Sequence, residues 1–409
     1  MQRVVVTGVG TVCPIGLNIE EYWGNLTAGK SGVCLIKKFD ATDYPVKVAA
    51  EVKDLDPGKY MEPKTVERTT RTIHLVVPAA KEAVASAGLD MAQEPAERVG
   101  IVSANLQENR YVAQGFDTLA KRGPRRVDPL FFTKGAPSIV SLQLGMLFGA
   151  QGPSTSVNSL CASGADAIGC ALNFIRLGYA DVMIVATSDA SLDEMTIAAL
   201  SVIGALSREP DPDKACRPFD LNRSGFVYGE GSGVMILESY AHAIKRGAPV
   251  LAELAGAGWT FDAYDTTAPQ PDTEAMAMRT AIRNAGLGLE DIDCVNAHGT
   301  STRLNDASET KAIKMVFGER AYRIPITANK SMFGHMLSAG GMVESIGVVM
   351  SISRGIIPPT IHYETPDPEC DLDYVPNVAR QVQVNACLKN SFGLGGQNCC
   401  LVFKKFEEA

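Results

Sequence analysis

The chain has 409 residues, 46 % of them hydrophobic and 21 % charged, with a formal net charge of −8 at pH 7. That length suits one large domain or two intimately packed ones. The acidic balance argues against a generic nucleic-acid binder, and no apolar run approaches the roughly 18 residues of a membrane-spanning helix.

In chain order, RVVVTGVG reads as a buried strand and a glycine turn, and TVERTTRTIHLVVPAAKEAVASAG as a helix ending at Gly88. RVGIVSA is a second strand, residues 107–137 read as irregular, and APSIVSLQLGMLFG as a mostly buried helix. GPSTSVNSL is a strand leading into Cys161, ADAIGCALNFIRLGYA an apolar helix, and DVMIVATSDA and GVMILES are strands. A second half opens near PVLAELAGAGW. TEAMAMRTAIRNAG then reads as a helix, DIDCVNAHGT as a strand ending on a histidine, and ASETKAIKMVFG as a helix. IPITANKSMFGHMLSAGGMVESIGVVMSIS gives a strand, a turn and a long apolar helix, and VNACLKNSFGLGGQNCCLVFKKF a closing pair of strands around a glycine turn. Alternating strands and helices of this kind predict α/β layers, and the similar rhythm of the two parts hints at related halves.

The 10 cysteines are scattered, with neither CxxC nor HExxH. This pattern, and a start without a signal peptide's apolar stretch, lead us to expect a reducing, cytoplasmic setting and no metal site. Cys161 in VNSLCASGADAIG has two readings. On this segment alone a buried core cysteine is the commoner outcome. If a helix starts just after it, unpaired N–H groups and the positive helix end would favour a thiolate and lower its pKa. The small residues after it would leave room for a substrate and let the helix pack deeply.

Among the 5 histidines, His298 in VNAHGTST and His335 in ANKSMFGHMLSAGG lie in turns just past strands. Each singly could be a hydrogen-bonded turn residue. With a cysteine at a helix start they make chemical sense: a thiolate forms a thioester, and imidazoles donate where negative charge develops. His74 reads as structural, and His242 and His362 carry no assignment. The turn in LKNSFGLGGQNCC offers backbone N–H groups and Phe392 as a gate, or is a plain hairpin. Neither GLGGQN nor TGVGTVCPIG fits a dinucleotide fingerprint.

Taken together, VVVTGVGTVCPIG, GPRRVDP, GPSTSVNSLCASGADAIG, RPFDLNRSGFVYGEGSG, VNAHGTSTRLNDASE, NKSMFGHMLSAGGMVES and NSFGLGG resemble, from end to end, the elongating β-ketoacyl-[acyl-carrier-protein] synthases. That family belongs to the thiolase-like superfamily. The resemblance implies an α/β thiolase-like fold with two similar halves, at 1–249 and 250–409, forming a layered α-β-α-β-α core. It implies acyl transfer to Cys161, then decarboxylative condensation with a malonyl-carrier thioester, with His298 and His335 stabilising the enolate. Lys330 would act through charge and hydrogen bonding, with Glu344 as its acidic partner. Phe392 would gate the site and share an oxyanion hole with Cys161, and Thr300 and Thr302 would hold the phosphopantetheine arm. No cofactor would be required. The partner would be an acyl carrier protein, docking on Lys64, Arg68, Arg71, Arg125 and Arg126, in a homodimer or a heterodimer with a related subunit. His335 argues against the chain-initiating branch and Cys161 against a chain-length factor. Thiolases use a second cysteine as base, but Cys399 and Cys400 read as core of the closing strand.

The chain departs from the family at SANLQENRY, where relatives commonly carry GSGIGG. There Gln107 takes the place of an apolar gate to the acyl pocket. PLFFTKGAPSIVSLQ and TRLNDASE differ too. A polar gate fits a long saturated chain poorly. Fatty-acid elongation is the main expectation; these departures make a type II polyketide or polyene pathway a serious alternative, with a noncatalytic partner subunit third.

Overall fold

The computed structural model describes residues 2–408. Its main sheet has ten strands, numbered here in chain order: β1 (Val4–Val12), β2 (Val99–Asn105), β3 (Ser154–Ser156), β4 (Val182–Asp189), β5 (Gly231–Ser239), β6 (Ala252–Phe261), β7 (Cys294–Asn296), β8 (Ile326–Thr327), β9 (Ala386–Phe392) and β10 (Gln397–Lys404). The helices that matter for the site are α1 (Arg71–Ser86), α2 (Asn109–Arg122), α3 (Ile139–Phe148), α4 (Ser163–Arg176), α5 (Pro271–Asn284), α6 (Arg303–Phe317) and α7 (Leu337–Arg354).

Across the sheet the strands run β3-β2-β4-β5-β1 and then β6-β10-β9-β7-β8. Each half pairs its strands in the same way. In the first, β1–β5 and β4–β5 are antiparallel and β2–β4 and β2–β3 parallel. In the second, β6–β10 and β9–β10 are antiparallel and β7–β9 and β7–β8 parallel. The halves meet where β1 pairs with β6, Val5 opposite Glu253 and Val6 opposite Ala252. Helices α1 and α3 cover the outer side of the first half, α5 and α6 that of the second, and α4 and α7 lie between, each touching strands of both. This is the layered α-β-α-β-α core of a thiolase-like fold.

The sequence explains the middle layer. α7 is apolar on every side, as a helix enclosed by other elements must be, and every residue from Leu337 to Ile352 is buried. Glu344 is the one charged residue of that stretch. α4 and α7 meet at glycines: a Cβ on Gly164 would lie 2.6 Å from the Met342 nitrogen, and one on Gly341 2.9 Å from the Ala165 nitrogen. Backbone therefore rests on backbone, and the turns preceding the two helices are drawn together.

Three expectations need correction. The helix expected from Thr65 begins at Arg71; Pro63–Arg68 forms a separate short helix, because Thr69 and Thr70 are extended, a backbone state that β-branched residues favour. The segment 107–137, expected to be irregular, contains the 14-residue helix α2; Val112, Phe116 and Leu119 recur along it at helical spacing, on a face that stays unburied. α3 is not mostly buried, since Leu142, Met146 and Leu147 are exposed.

Candidate active site

Cys161 sits in a single 3-10 turn, Leu160–Ala162, between β3 and α4. Leu160 takes a left-handed conformation, φ +51°, which a non-glycine residue holds at a cost of about 1 kcal/mol or more. Local bonds over-determine the turn. Ser163 Oγ accepts from the Ser159 N–H at 2.8 Å and donates to the Leu160 carbonyl at 2.7 Å. Ser159 Oγ bonds Asp166, which also accepts from Trp259 Nε1 at 2.8 Å. The sulfur faces a cavity of about 400 Å³ that His298, His335, Thr300, Thr302 and Phe392 also line.

The helix starts after Cys161 as expected, but the expected drop in thiol pKa is reversed. Burial pushes the Cys161 thiol up to about 11, against the pull of the Leu394 backbone N–H and the Lys330 ammonium. Desolvation of the thiolate outweighs the favourable neighbours.

His298 follows β7 in a turn held by carboxylates from α6. Glu309 accepts from the N–H groups of His298 and Gly299, both at 2.8 Å, and Asp306 from that of Thr300 at 3.0 Å. Gly299 is required here: φ is +43°, and a Cβ would lie 2.5 Å from that of Ala328. Thr302 caps α6, accepting from the Asn305 N–H at 3.4 Å, and its hydroxyl lies 2.9 Å from that of Thr300.

His335 is fixed through its backbone. Its N–H donates to the Val227 carbonyl at 2.7 Å, and its carbonyl accepts from the Gly229 N–H at 2.9 Å. Its ring meets Phe226 edge-on at 5.0 Å and His298 at 5.4 Å. Neither ring nitrogen has a hydrogen-bond partner among the described residues. Burial, followed by the Lys330 charge, lowers both imidazoles well below their usual range. Both are neutral, and His335, with its ring nitrogens unpartnered, lines the cavity, suited to a substrate oxygen.

Beneath the histidines lies a buried charge network. Lys330 Nζ donates to the His298 carbonyl at 2.7 Å, lies 3.4 Å from His298 Nδ1, and pairs with Glu344 Oε1 at 2.6 Å. The other carboxylate oxygen, Oε2, lies 2.8 Å from Lys389 Nζ. Sequence reasoning missed Lys389, Asp306, Glu309 and Phe226. Asp306 and Glu309 fall inside the quoted motif VNAHGTSTRLNDASE, and two carboxylates at one-turn spacing were the available signal. Lys389, a lone lysine in a core strand, gave a signal only in hindsight.

The other expected site residues divide. Gln107 is exposed, and its amide donates to the Gly135 carbonyl at 3.0 Å. It does not line the cavity; its neighbour Leu106 packs on the apolar cluster that includes Cys161. Leu106, one residue earlier, is thus the side chain of this stretch that packs towards Cys161. Lys64, Arg68, Arg125 and Arg126 are exposed. Arg71 is not a free docking charge: its guanidinium pairs with buried Glu230 at 2.9 Å and donates to the Val52 carbonyl at 3.1 Å. Cys399 and Cys400 are core residues outside the cavity. His74 lies 3.1 Å from the Val66 carbonyl, His242 between Glu238 and Glu94, and His362 at 2.9 Å from the Cys216 carbonyl. No helix among the described residues is long and apolar enough to cross a membrane.

Comparison with known proteins gives the family. The family model described as "Beta-ketoacyl synthase, N-terminal domain" matches residues 1–243, and "Beta-ketoacyl synthase, C-terminal domain" matches residues 251–364. The 3-oxoacyl-[acyl-carrier-protein] synthase 2 of Staphylococcus aureus (strain COL) is 40 % identical over 409 residues, 99 % of each chain. Among solved structures, the ishigamide ketosynthase/chain length factor has a TM-score of 0.92 at 34 % identity, covering 99 % of this chain and 100 % of that one. AntDE:AntF is described as a type II polyketide synthase acyl-carrier protein in complex with its ketosynthase bound to the hexaketide. It has a TM-score of 0.91 at 32 % identity, with the same coverages. Matches to both halves and a relative this similar along its whole length mean that the chain belongs to the β-ketoacyl synthase family, among the elongating type II ketosynthases of the thiolase-like superfamily.

Proposed function

We propose that the protein extends an acyl chain by two carbons, using Cys161 as nucleophile and two neutral histidines as donors. The observation that carries this reading is the meeting of Cys161, His298 and His335 on one cavity, with both imidazoles neutral. Cys161 Sγ attacks the thioester carbonyl of an acyl-carrier substrate. A sulfur–carbon bond forms, the carrier's carbon–sulfur bond breaks, and the pantetheine sulfur leaves with the cysteine proton. Because burial holds the thiol up near 11, deprotonation accompanies substrate binding rather than preceding it. The N–H groups of Cys161 and Phe392 receive the oxyanion.

A malonyl-carrier thioester then occupies the same cavity, its arm against Thr300 and Thr302. His298 and His335 donate to its thioester oxygen. As carbon dioxide leaves, the electrons of the broken carbon–carbon bond become an enolate under those donors. The enolate carbon attacks the acyl-cysteine carbonyl, and the Cys161 sulfur leaves. Burial, helped by the charge of Lys330, which Glu344 holds, keeps the imidazoles neutral, so each retains one N–H. No cofactor enters any of these steps.

The test offers acyl-carrier primers and malonyl-carrier extender to the purified protein. Cys161→Ala is expected to abolish acyl-enzyme formation, seen by intact mass; retained acylation would overturn the assignment. Condensation by the protein alone would exclude a noncatalytic subunit. Saturated and unsaturated primers separate fatty-acid elongation, our main reading after the full-length synthase relative, from a type II polyketide or polyene pathway. The structural relative described as a type II polyketide ketosynthase bound to a hexaketide favours that second reading. The argument from Gln107 toward a polar chain falls away, since that side chain does not reach the cavity.

We further propose docking of an acyl carrier protein through Lys64, Arg68, Arg125 and Arg126, and a division of the chain at 1–249 and 250–409. The repeated strand order supports that division. We also propose a dimer, with itself or a related subunit, through the free edge of β3. The exposed apolar residues Phe116, Phe132, Leu142 and Met146 support it. A cytoplasmic setting fits the free thiols, with no disulfide among the described residues.

A further inference from the structure

Lys389 is the one buried ammonium at this site without a role in the reaction described above. It lies on β9, fully enclosed at 0 % exposure. Burying an ammonium without partners is costly, and its partners are few. They are the Asn390 carbonyl, Ser391 Oγ at 3.1 Å, and Glu344 Oε2 at 2.8 Å. From the other side the contact is more demanding still. Glu344 Oε1 is taken by Lys330 at 2.6 Å, while Oε2, without a hydrogen-bond partner among the described residues, lies 2.8 Å from the Lys389 ammonium. One carboxylate is thus shared between two ammonium groups, and one of these rests on the His298 carbonyl at 2.7 Å.

We propose that Lys389 is a positioning residue for the decarboxylation half of the reaction: it clamps the second oxygen of Glu344, so that the first holds Lys330 against His298. This rests on the enolate-stabilising role proposed for the histidines. Without Lys389, buried Glu344 Oε2 loses that charge contact, and the carboxylate is free to turn away from Lys330. The second ammonium also adds a positive charge beneath the place where the enolate forms. Lys389 does not line the cavity, so it acts through Glu344 and the local field and exchanges no proton with substrate.

The charged and titratable groups around the two imidazoles are Lys330 and Glu344, Lys389 on β9, Glu309 on α6, Cys161 before α4, and Asp189 at the end of β4. Of these, Lys330 and Lys389 both disfavour a protonated imidazole. Removing Lys389 raises the imidazole pKa, so the neutral form is lost at a higher pH. The acid limb of the decarboxylation profile must then move to higher pH.

The test is Lys389→Met in the full-length protein, with malonyl-carrier decarboxylation and acyl transfer to Cys161 measured separately. Decarboxylation kcat is expected to fall about tenfold or more, with KM for the malonyl carrier unchanged. The acid limb should move up, and acyl transfer should stay within about twofold. Wild-type decarboxylation with an unmoved acid limb would overturn the proposal, as would an equal fall in both half-reactions, which marks a purely structural role. If Lys389→Met does not fold, Lys389→Gln, which keeps an N–H for Glu344 and removes the charge, is judged on the acid limb alone. A limb that stays put in that variant also overturns the proposal. His298→Ala and His335→Ala run in parallel keep the two readings apart. If they decarboxylate normally the parent reading has failed, whereas if they do not while Lys389→Met does, only the role of Lys389 has.

Discussion

The two halves of the molecule run through the same order of elements and use it for different chemistry. In the first, the turn between β3 and its central helix α4 carries Cys161; in the second, the equivalent turn between β8 and α7 carries Lys330 and His335. The turn after β7 carries His298, and its counterpart after β2 carries Leu106 and the exposed Gln107. The nucleophile's turn is held by hydroxyls and Asp166, with small residues behind it. The histidine turns are held by buried charge: Glu309, Asp306, Lys330 and Glu344. A nucleophile needs an accessible atom and room for its substrate, while groups that stabilise developing charge must be fixed before the charge appears.

If that division is right, the halves should fail differently. Replacing His298 or His335 with Ala should cut malonyl decarboxylation by about 10²- to 10³-fold, while acyl transfer to Cys161 falls far less; rapid-quench assays of each half-reaction would show it. Equal losses in both would dissolve the comparison.

A second difference concerns ionisation. Cys161 is held up to about 11 by burial, so iodoacetamide alkylation of the free protein should be slow at pH 8 and keep accelerating as the pH rises toward 11. A plateau already reached near neutrality would mean that the end of α4 outweighs burial.

The glycine contact between the central helices couples the halves mechanically. Gly164→Val places side-chain atoms where a Cβ already comes within 2.6 Å of the Met342 nitrogen. It should lower stability in urea by about 1–3 kcal/mol. It should also lower both half-reactions together, unlike the histidine variants.

The smallest effects sharpen the assignment of surface charge. Arg71→Ala removes a partner of buried Glu230 and should cost about 2 kcal/mol of stability. Lys64→Ala and Arg68→Ala should leave the melting temperature nearly unchanged and raise KM for the carrier substrate. The opposite pattern would return Arg71 to the docking surface.

Legibility followed burial and periodicity. α7 and the buried strands β1, β4 and β5 were readable because apolar runs of the right length permit few other arrangements. α2 was passed over although Val112, Phe116 and Leu119 recur at helical spacing, because the adjoining KRGPRR turn drew the whole stretch into an irregular reading. Cys161, His298, His335, Lys330 and Glu344 were readable from motifs, with the resemblance supplying their roles. The exposure of Gln107 was not legible because it follows the end of β2, where tertiary contacts such as its bond to the Gly135 carbonyl set a side chain's direction.

The amino-acid sequence by itself determined the alternation of strands and helices, the small residues that let α4 and α7 touch, and the identity of the reacting groups, since these depend on local pattern and chemical type. Only the tertiary structure decided that residues 161, 298 and 335 share one cavity and that Glu344 is divided between Lys330 and Lys389. It also decided that burial raises the thiol and neutralises the imidazoles. Those properties belong to distances between residues far apart in the chain and to the exclusion of water, and no local stretch of sequence contains either.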